Sequence, residues 1–283
     1  MRRIVATIGA LIVTVCVSLW FWERDTGGTG ALSVVALDVG QGDAILIRTP
    51  HGADILIDGG PPSGHVVEKL GEHLPPSNRE IELVIVTHTD ADHIGGLADL
   101  AAHYRIGRVL DAGTSSSNPT YAKWLGALDD QRTARMTARA GVVVNIDDVR
   151  CTVVWPQTDA DLVKASVNDT SVIVEMEYGA TSFLFTGDAG AEVEERLLQR
   201  QAVRHVDVLK VAHHGSVYSS SVEYLDAVKP DFAIISAGRG NSYGHPHGIV
   251  IDRLKATGAE VLRTDVVGDV RVVSDGRKVT IDR

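Results

Sequence analysis

Residues 86–96 read VTHTDADHIGG. The opening Val and Thr close an apolar run, IELVIVT at residues 81–87, with the length and composition of a buried strand. Within the next six positions the chain presents His88, Asp90, Asp92 and His93, and it leaves through Gly95-Gly96, which permit a close turn into a helix. Two imidazoles and two carboxylates at the end of a buried strand are costly to desolvate without partners. One reading is a solvated acidic loop with two incidental histidines. The other is a divalent cation, which satisfies all four groups together. Imidazole nitrogen and carboxylate oxygen are both competent ligands for Zn, Mn or Fe. The dense spacing and the glycine exit favour the cation.

Three more apolar strands end in the same way. FLFTGDA at 183–189 delivers Asp188, and VDVLKVAHH at 206–214 delivers His213 and His214, followed by Gly215 and Ser216. FAIISAG at 232–238 leads into a loop with Asn241, Gly244, His245, Pro246 and His247. Any one of these alone reads as a cap or a surface group. Together they place one site at a shared edge of the sheets. Helical patterns alternate with the strands at 63–74, at 118–128 with Asn118 as N-cap and Pro119 at the first position, at 191–201, and from Pro246 through residue 255. Hairpins are expected at 171–188, turning near Gly179, and at 269–283, turning at Asp275-Gly276. This mixture predicts an α/β fold of two packed sheets with helices on the outer faces. No Pro/Gly/Ser-rich break divides residues 31–283, which read as a single domain.

Residues 1–30 read differently. Residues 4–22 carry no charge, Arg2-Arg3 precede them, and Trp20-Phe21-Trp22 end the run. This length can just span a bilayer, with the basic pair cytoplasmic and the aromatics at the far interface. The expectation is a single-pass membrane anchor and a TGGTG linker, with the remainder extracytoplasmic. A cleaved signal peptide is the other reading, and it also exports the chain. The formal net charge of −10 argues against broad duplex binding, and Cys16 and Cys151 make no disulfide framework.

HTDADHIGG, FLFTGDA and KVAHHGS together resemble the metallo-β-lactamase fold, a four-layer αββα sandwich. LDVGQGDAILI, ILIDGG and GHPH narrow the likeness to the β-lactamase-like domain of competence DNA-uptake channel proteins; extracellular phosphorylcholine esterases of this fold are similar too. The resemblance covers about residues 32–270. It implies two divalent metal ions, Zn or Mn, bridged by Asp188. One would take His88, Asp90 and Asp188, and the other Asp92, His93, Asp188 and His214. The family's usual first motif has a histidine where Asp90 stands, and a further histidine in the region where VNDTS holds Asn168 and Asp169. More oxygen ligands shift preference toward Mn.

The function this implies is an exported, membrane-anchored hydrolase, a phosphodiesterase or nuclease acting through a metal-activated water on nucleic acid or an envelope phosphodiester. A lactam, lactone or thioester hydrolase, and a non-catalytic metal-binding partner of a DNA-uptake channel, are the alternatives. His213 and His245, with Asp92, are the candidate catalytic residues, the two histidines as proton donors to a leaving group or contacts to phosphate. Lys210, Ser216, Asn168 and His247 are the candidate substrate contacts. Asp38 and Asp43 read as turn residues. Asp58 in IDGG reads either as a turn residue or as an acceptor to a ligand histidine. His51, His65, His73, His103 and His205 lack neighbours of ligand type and read as surface residues.

Overall fold

A computed structural model describes residues 30–62 and 65–282. The apolar run at 4–22, expected to be a membrane anchor, lies outside the described residues. Among those described, no helix is long and apolar enough to cross a membrane.

The strands are β1 (Leu32–Ala36), β2 (Ile45–Arg48), β3 (Asp54–Ile57), β4 (Glu80–Ile85), β5 (Arg105–Asp111), β6 (Ala134–Thr137), β7 (Val143–Ile146), β8 (Val149–Trp155), β9 (Ile173–Tyr178), β10 (Thr181–Phe185), β11 (Val208–Lys210), β12 (Phe232–Ile235), β13 (Glu260–Arg263), β14 (Val270–Ser274) and β15 (Val279–Asp282). They form two sheets, ordered β15-β14-β1-β2-β3-β4-β5-β6 and β13-β12-β11-β10-β9-β8-β7. β3 to β6 run parallel to one another, as do β10 to β13. The expected C-terminal hairpin, β14 and β15, returns to the first sheet beside β1.

Both faces of most strands are buried, so their apolar residues are continuous and alternate ones serve different layers. Leu32, Val34 and Ala36 of β1 pack between the sheets with Ile45, Ile55, Leu83, Val153, Met176, Phe183 and Phe185. The intervening Val35, with Leu46, Leu56 and Val84, packs outward under α1 (His65–His73), α3 (Leu97–His103) and α4 (Pro119–Gln131), which supply Val66, Leu70, Leu97, Leu100, Trp124 and Leu128; the short α2 (Ala91–Ile94) precedes α3. Leu184, Leu209 and Ala233 face the other way, under α5 (Ala191–Gln199), α6 (Val222–Val228) and α7 (Gly248–Ala256). The result is the expected αββα sandwich.

Several helix ends differ from the reading of the sequence, and two of the shifts have a visible cause. α4 begins where its Asn118 cap predicts, with the side chain accepting from the Thr120 N–H at 2.9 Å, but it runs on to Gln131. Its stop is Arg132 in a left-handed conformation, a role usually given to glycine. α7 begins at Gly248 instead of Pro246, because the His247 N–H is tied to the Gly215 carbonyl at 3.0 Å and its backbone stays extended.

One core carboxylate carries a pH signature. Asp54 is fully buried, 3.6 Å from the Arg48 guanidinium. Burial, with Glu82 adding and Arg48 opposing, pushes its carboxyl up to about 7. The folded state therefore holds this proton more tightly than the unfolded chain does. The stability linked to it is fully present near pH 4 and is lost as pH rises toward 7. Asp54→Asn removes that loss. It is expected to stabilise the protein at pH 8 by on the order of 1–3 kcal/mol, since each pK unit is worth about 1.4 kcal/mol, and to give little at about pH 4, where the carboxyl is still largely protonated in both states. Thermal melts at the two pH values check this.

Candidate metal centre

β10, β11 and β12 lie side by side with Phe185, Lys210 and Ile234 in register, so their C-terminal ends open at one edge. In the other sheet, parallel β3 and β4 pair Ile57 with Ile85 and end at the same edge. Asp58 and the 86–93 loop arrive from one sheet. Asp188, His213-His214 and the 238–247 loop arrive from the other. The carboxyl ends of parallel strands are where such folds place ligands.

Asp58 organises the first loop. Its carboxylate accepts from the Thr87 N–H at 2.8 Å and from Thr87 Oγ1 at 2.6 Å, and it lies 2.7 Å from His93 Nδ1. Asp58 thus takes the acceptor role, and it fixes His93 with Nε2 toward the site. The chains must approach closely for this: the Gly59 N–H donates to the His93 carbonyl at 2.6 Å, and a Cβ on Gly95 would collide with the Pro61–Pro62 backbone.

The second loop is strained. His213 and His214 have φ of 51° and 54°, and Gly215 follows at 81°. Each non-glycine residue there costs about 1–2 kcal/mol. Hydrogen bonds from the His213 N–H to Gly187 O (3.1 Å) and from the Ser216 N–H to His213 O (2.8 Å) hold the turn. His214 Nδ1 lies 2.9 Å from the Ser236 carbonyl, which leaves Nε2 free, 3.4 Å from both Asp92 Oδ2 and Asp188 Oδ2. The other Asp188 oxygen is 3.3 Å from His93 Nε2.

These groups fit divalent cations. His88 Nε2, His93 Nε2, His214 Nε2 and Asp188 Oδ1 are buried without a hydrogen-bond partner, a state that native interiors avoid. Ligand atoms of His88, His93 and Asp188 lie within 4.8 Å of one another, as do those of Asp92, His93 and His214. Burial opposes the charge on Asp188, but His214 and His93 outweigh it and hold its carboxyl well below the usual range. Burial likewise opposes protonation of His93, yet Asp188 and Asp58 push it well above its ordinary value. A field that draws protons to these nitrogens also draws a cation in their place. The grouping differs from the resemblance's scheme: His93 stands with His88 and Asp188 as well as with Asp92 and His214. Asp90 is half-exposed, with Oδ2 3.7 Å from His88 Nε2.

Around this cluster, His213 Nε2 is 3.9 Å from Asp188 Oδ2 and 3.3 Å from Asn168 Nδ2. The His245 ring lies 5.6 Å from that of His213, with Tyr243 stacked on its outer side at 5.8 Å and His247 at 5.3 Å. Burial, with His214 and His213 nearby, lowers His245 to about 4. Burial also lowers His213, opposed by Asp188 and reinforced by His214. Both shifts are toward the neutral imidazole, which carries one N–H and no charge.

Two expected substrate contacts are corrected. Lys210 is 1% exposed, with Nζ 2.6 Å from Asp43 Oδ2, so it faces the interior and not a ligand. Its register neighbours Phe185 and Ile234 face the layer between the sheets, and Lys210 shares that face. Ser216 is buried, and its Oγ accepts from the Tyr218 N–H at 3.3 Å. Asp43, expected only to stabilise a turn, is the residue that sequence reading missed: it is buried, with Oδ1 3.5 Å from His214 Nδ1. The preceding turn seats it there: Gly42 has φ 131°, and a Cβ would collide with the Asp92 carbonyl oxygen. His73 is also not a plain surface residue, because its Nε2 lies 2.7 Å from Asp269.

Residues 37–239 match the family described as the metallo-beta-lactamase superfamily. The chain is 32% identical over 251 residues to ComE operon protein 3 of Bacillus subtilis, covering 83% of this chain and 32% of that protein. It is 28% identical over 247 residues to competence protein ComA of Neisseria gonorrhoeae, covering 83% and 31%. The chain thus spans about a third of the length of these relatives. Among solved structures, the metallo-beta-lactamase fold protein YhfI from Bacillus subtilis superposes with a TM-score of 0.55 at 12% identity, covering 82% of this chain and 96% of that one; at such identity the likeness concerns the fold alone.

Proposed function

Because the chain belongs to the metallo-beta-lactamase superfamily, a metal-dependent hydrolase fold, we propose that it is a phosphodiesterase with nucleic acid as its substrate class. The observation that carries the reading is the convergence of His88, His93, His214 and Asp188 with their inward-facing atoms unpartnered. Two divalent cations bound there, Zn or Mn, would supply Lewis acidity, making water nucleophilic near neutral pH and offsetting phosphate charge. The remaining work falls to the protein. Asp58 and the Ser236 carbonyl orient His93 and His214. His213 and His245 are the candidate donors to substrate oxygens on which charge develops; His213 Nε2 accepts from the Asn168 amide, which leaves its N–H at Nδ1. Asn168 lies against His213. Tyr243, 64% exposed and stacked on His245, offers an aromatic face to a base at the mouth of the site. The competence relatives support nucleic acid over an envelope ester, and support a place beside a DNA-uptake channel. We read residues 31–283 as the catalytic unit and 4–22 as its single-pass anchor, with the site extracytoplasmic; the uncharged run and its basic flank support this.

The purified full-length chain, loaded with Mn²⁺ or Zn²⁺, is expected to hydrolyse bis(p-nitrophenyl) phosphate and a single-stranded oligonucleotide and to leave nitrocefin intact. Nitrocefin turnover without phosphodiester turnover under either metal overturns the proposal.

A further inference from the structure

We propose that the buried Lys210–Asp43 ion pair is a positioning device for His214, resting on the reading of the cation site given above. A fully buried lysine is rare, and a buried ion pair is often replaceable by apolar residues without loss of stability. Stability alone therefore does not account for this one. Its geometry does. Lys210 Nζ sits 2.6 Å from Asp43 Oδ2 and donates to the Val211 carbonyl at 3.0 Å. The other oxygen, Asp43 Oδ1, is buried, has no hydrogen-bond partner, and lies 3.5 Å behind His214 Nδ1. The same Nδ1 lies 2.9 Å from Ser236 O, which takes its one N–H, so the ring is held from behind by that carbonyl with the Asp43 carboxylate as a charged neighbour, while Nε2 faces Asp92 and Asp188.

The Asp43 backbone is braced on the metal loop as well. Its N–H donates to the Asp92 carbonyl at 3.2 Å, and its carbonyl accepts from the Gly60 N–H at 2.7 Å. Asp43, Asp188 and His214 offer ligand atoms within 4.8 Å of one another, so an unrestrained Asp43 carboxylate could compete for a cation. Lys210 neutralises it and keeps it behind the imidazole. Groups that orient a ligand histidine in this way typically tune metal affinity by about 10- to 100-fold.

The test titrates Co²⁺ or Zn²⁺ into metal-free full-length protein, following heat and the Co²⁺ visible spectrum. The double variant Asp43→Asn/Lys210→Met replaces the pair by neutral groups of similar size. It is expected to keep a cooperative melt and to bind about 10- to 100-fold more weakly, with a shifted Co²⁺ spectrum. Lys210→Arg, which keeps the charge, is expected to stay within a few-fold of wild type. Wild-type affinity and spectrum in the double variant overturn the proposal. So does an equal loss in Lys210→Arg, which also decides the matter if the double variant fails to fold. A wild type that takes up no cation overturns this proposal and the hydrolase reading together, whereas binding by wild type and double variant alike overturns this one alone.

Discussion

Asp188→Ala is expected to strip the site of cations and to lower phosphodiester turnover by about 1000-fold or more, because Lewis-acid stabilisation is worth several kcal/mol and each 1.4 kcal/mol is tenfold in rate. The two oxygens of this carboxylate face different clusters. Oδ1 lies 3.3 Å from His93 Nε2, and Oδ2 lies 3.4 Å from His214 Nε2. Removing it takes an anionic ligand from both sides at once. It also removes the larger of the two carboxylate neighbours that draw charge to His93 and His214, leaving Asp58 and Asp43. A variant at any single histidine would weaken the site less. The measurement is metal per chain by elemental analysis, beside kcat, with a thermal melt to show that the fold persists. Asp188→Ala carrying the metal content of wild type would remove the assigned centre, and the hydrolase reading with it.

The strand ends of this site are legible in the sequence for a physical reason. Val84, Leu184, Leu209 and Ala233 belong to strands buried on both faces, so each strand is a continuous apolar run. A polar cluster such as HTDADH or AHHG at the end of such a run stands out. Asp58 is legible in the same way, at the end of DILI. The Lys210–Asp43 pair is not. Each residue satisfies the charge of a partner far along the chain, and nothing local marks Lys210 as inward-facing; only its parallel neighbours Phe185 and Ile234 reveal it. His73 is hidden similarly, its partner Asp269 lying 196 residues away. Element boundaries were lost where tertiary contacts decide them. The tie from His247 to Gly215 delays α7, and Arg132 ends α4 without the glycine that would have announced it.

His213→Ala is expected to lower kcat by about 100-fold or more while leaving metal content unchanged, the loss typical of removing one fixed donor to developing charge. Three features place the ring for that work. Its backbone is held in a strained left-handed turn by Gly187 O and Ser216 N–H, so the side chain is fixed by the main chain itself. Its Nε2 stands 3.9 Å from Asp188 and 3.3 Å from Asn168, beside the cation ligands, though it is not in the His93–His214 contacts that would hold them. It is partly exposed, unlike His88, His93 and His214, so a substrate can reach it. With Nε2 accepting from the Asn168 amide N–H, the neutral ring carries its proton on Nδ1, and that N–H needs no net charge of its own to stabilise developing charge. The conservative variant separates this role from scaffolding. His213→Gln keeps an N–H of similar reach and is expected to recover about tenfold of the loss in kcat, one step of 1.4 kcal/mol, with KM little changed. A scaffold residue would instead move the melting temperature and metal affinity together with kcat. Wild-type kcat in His213→Ala at full metal content would assign the ring to the turn alone.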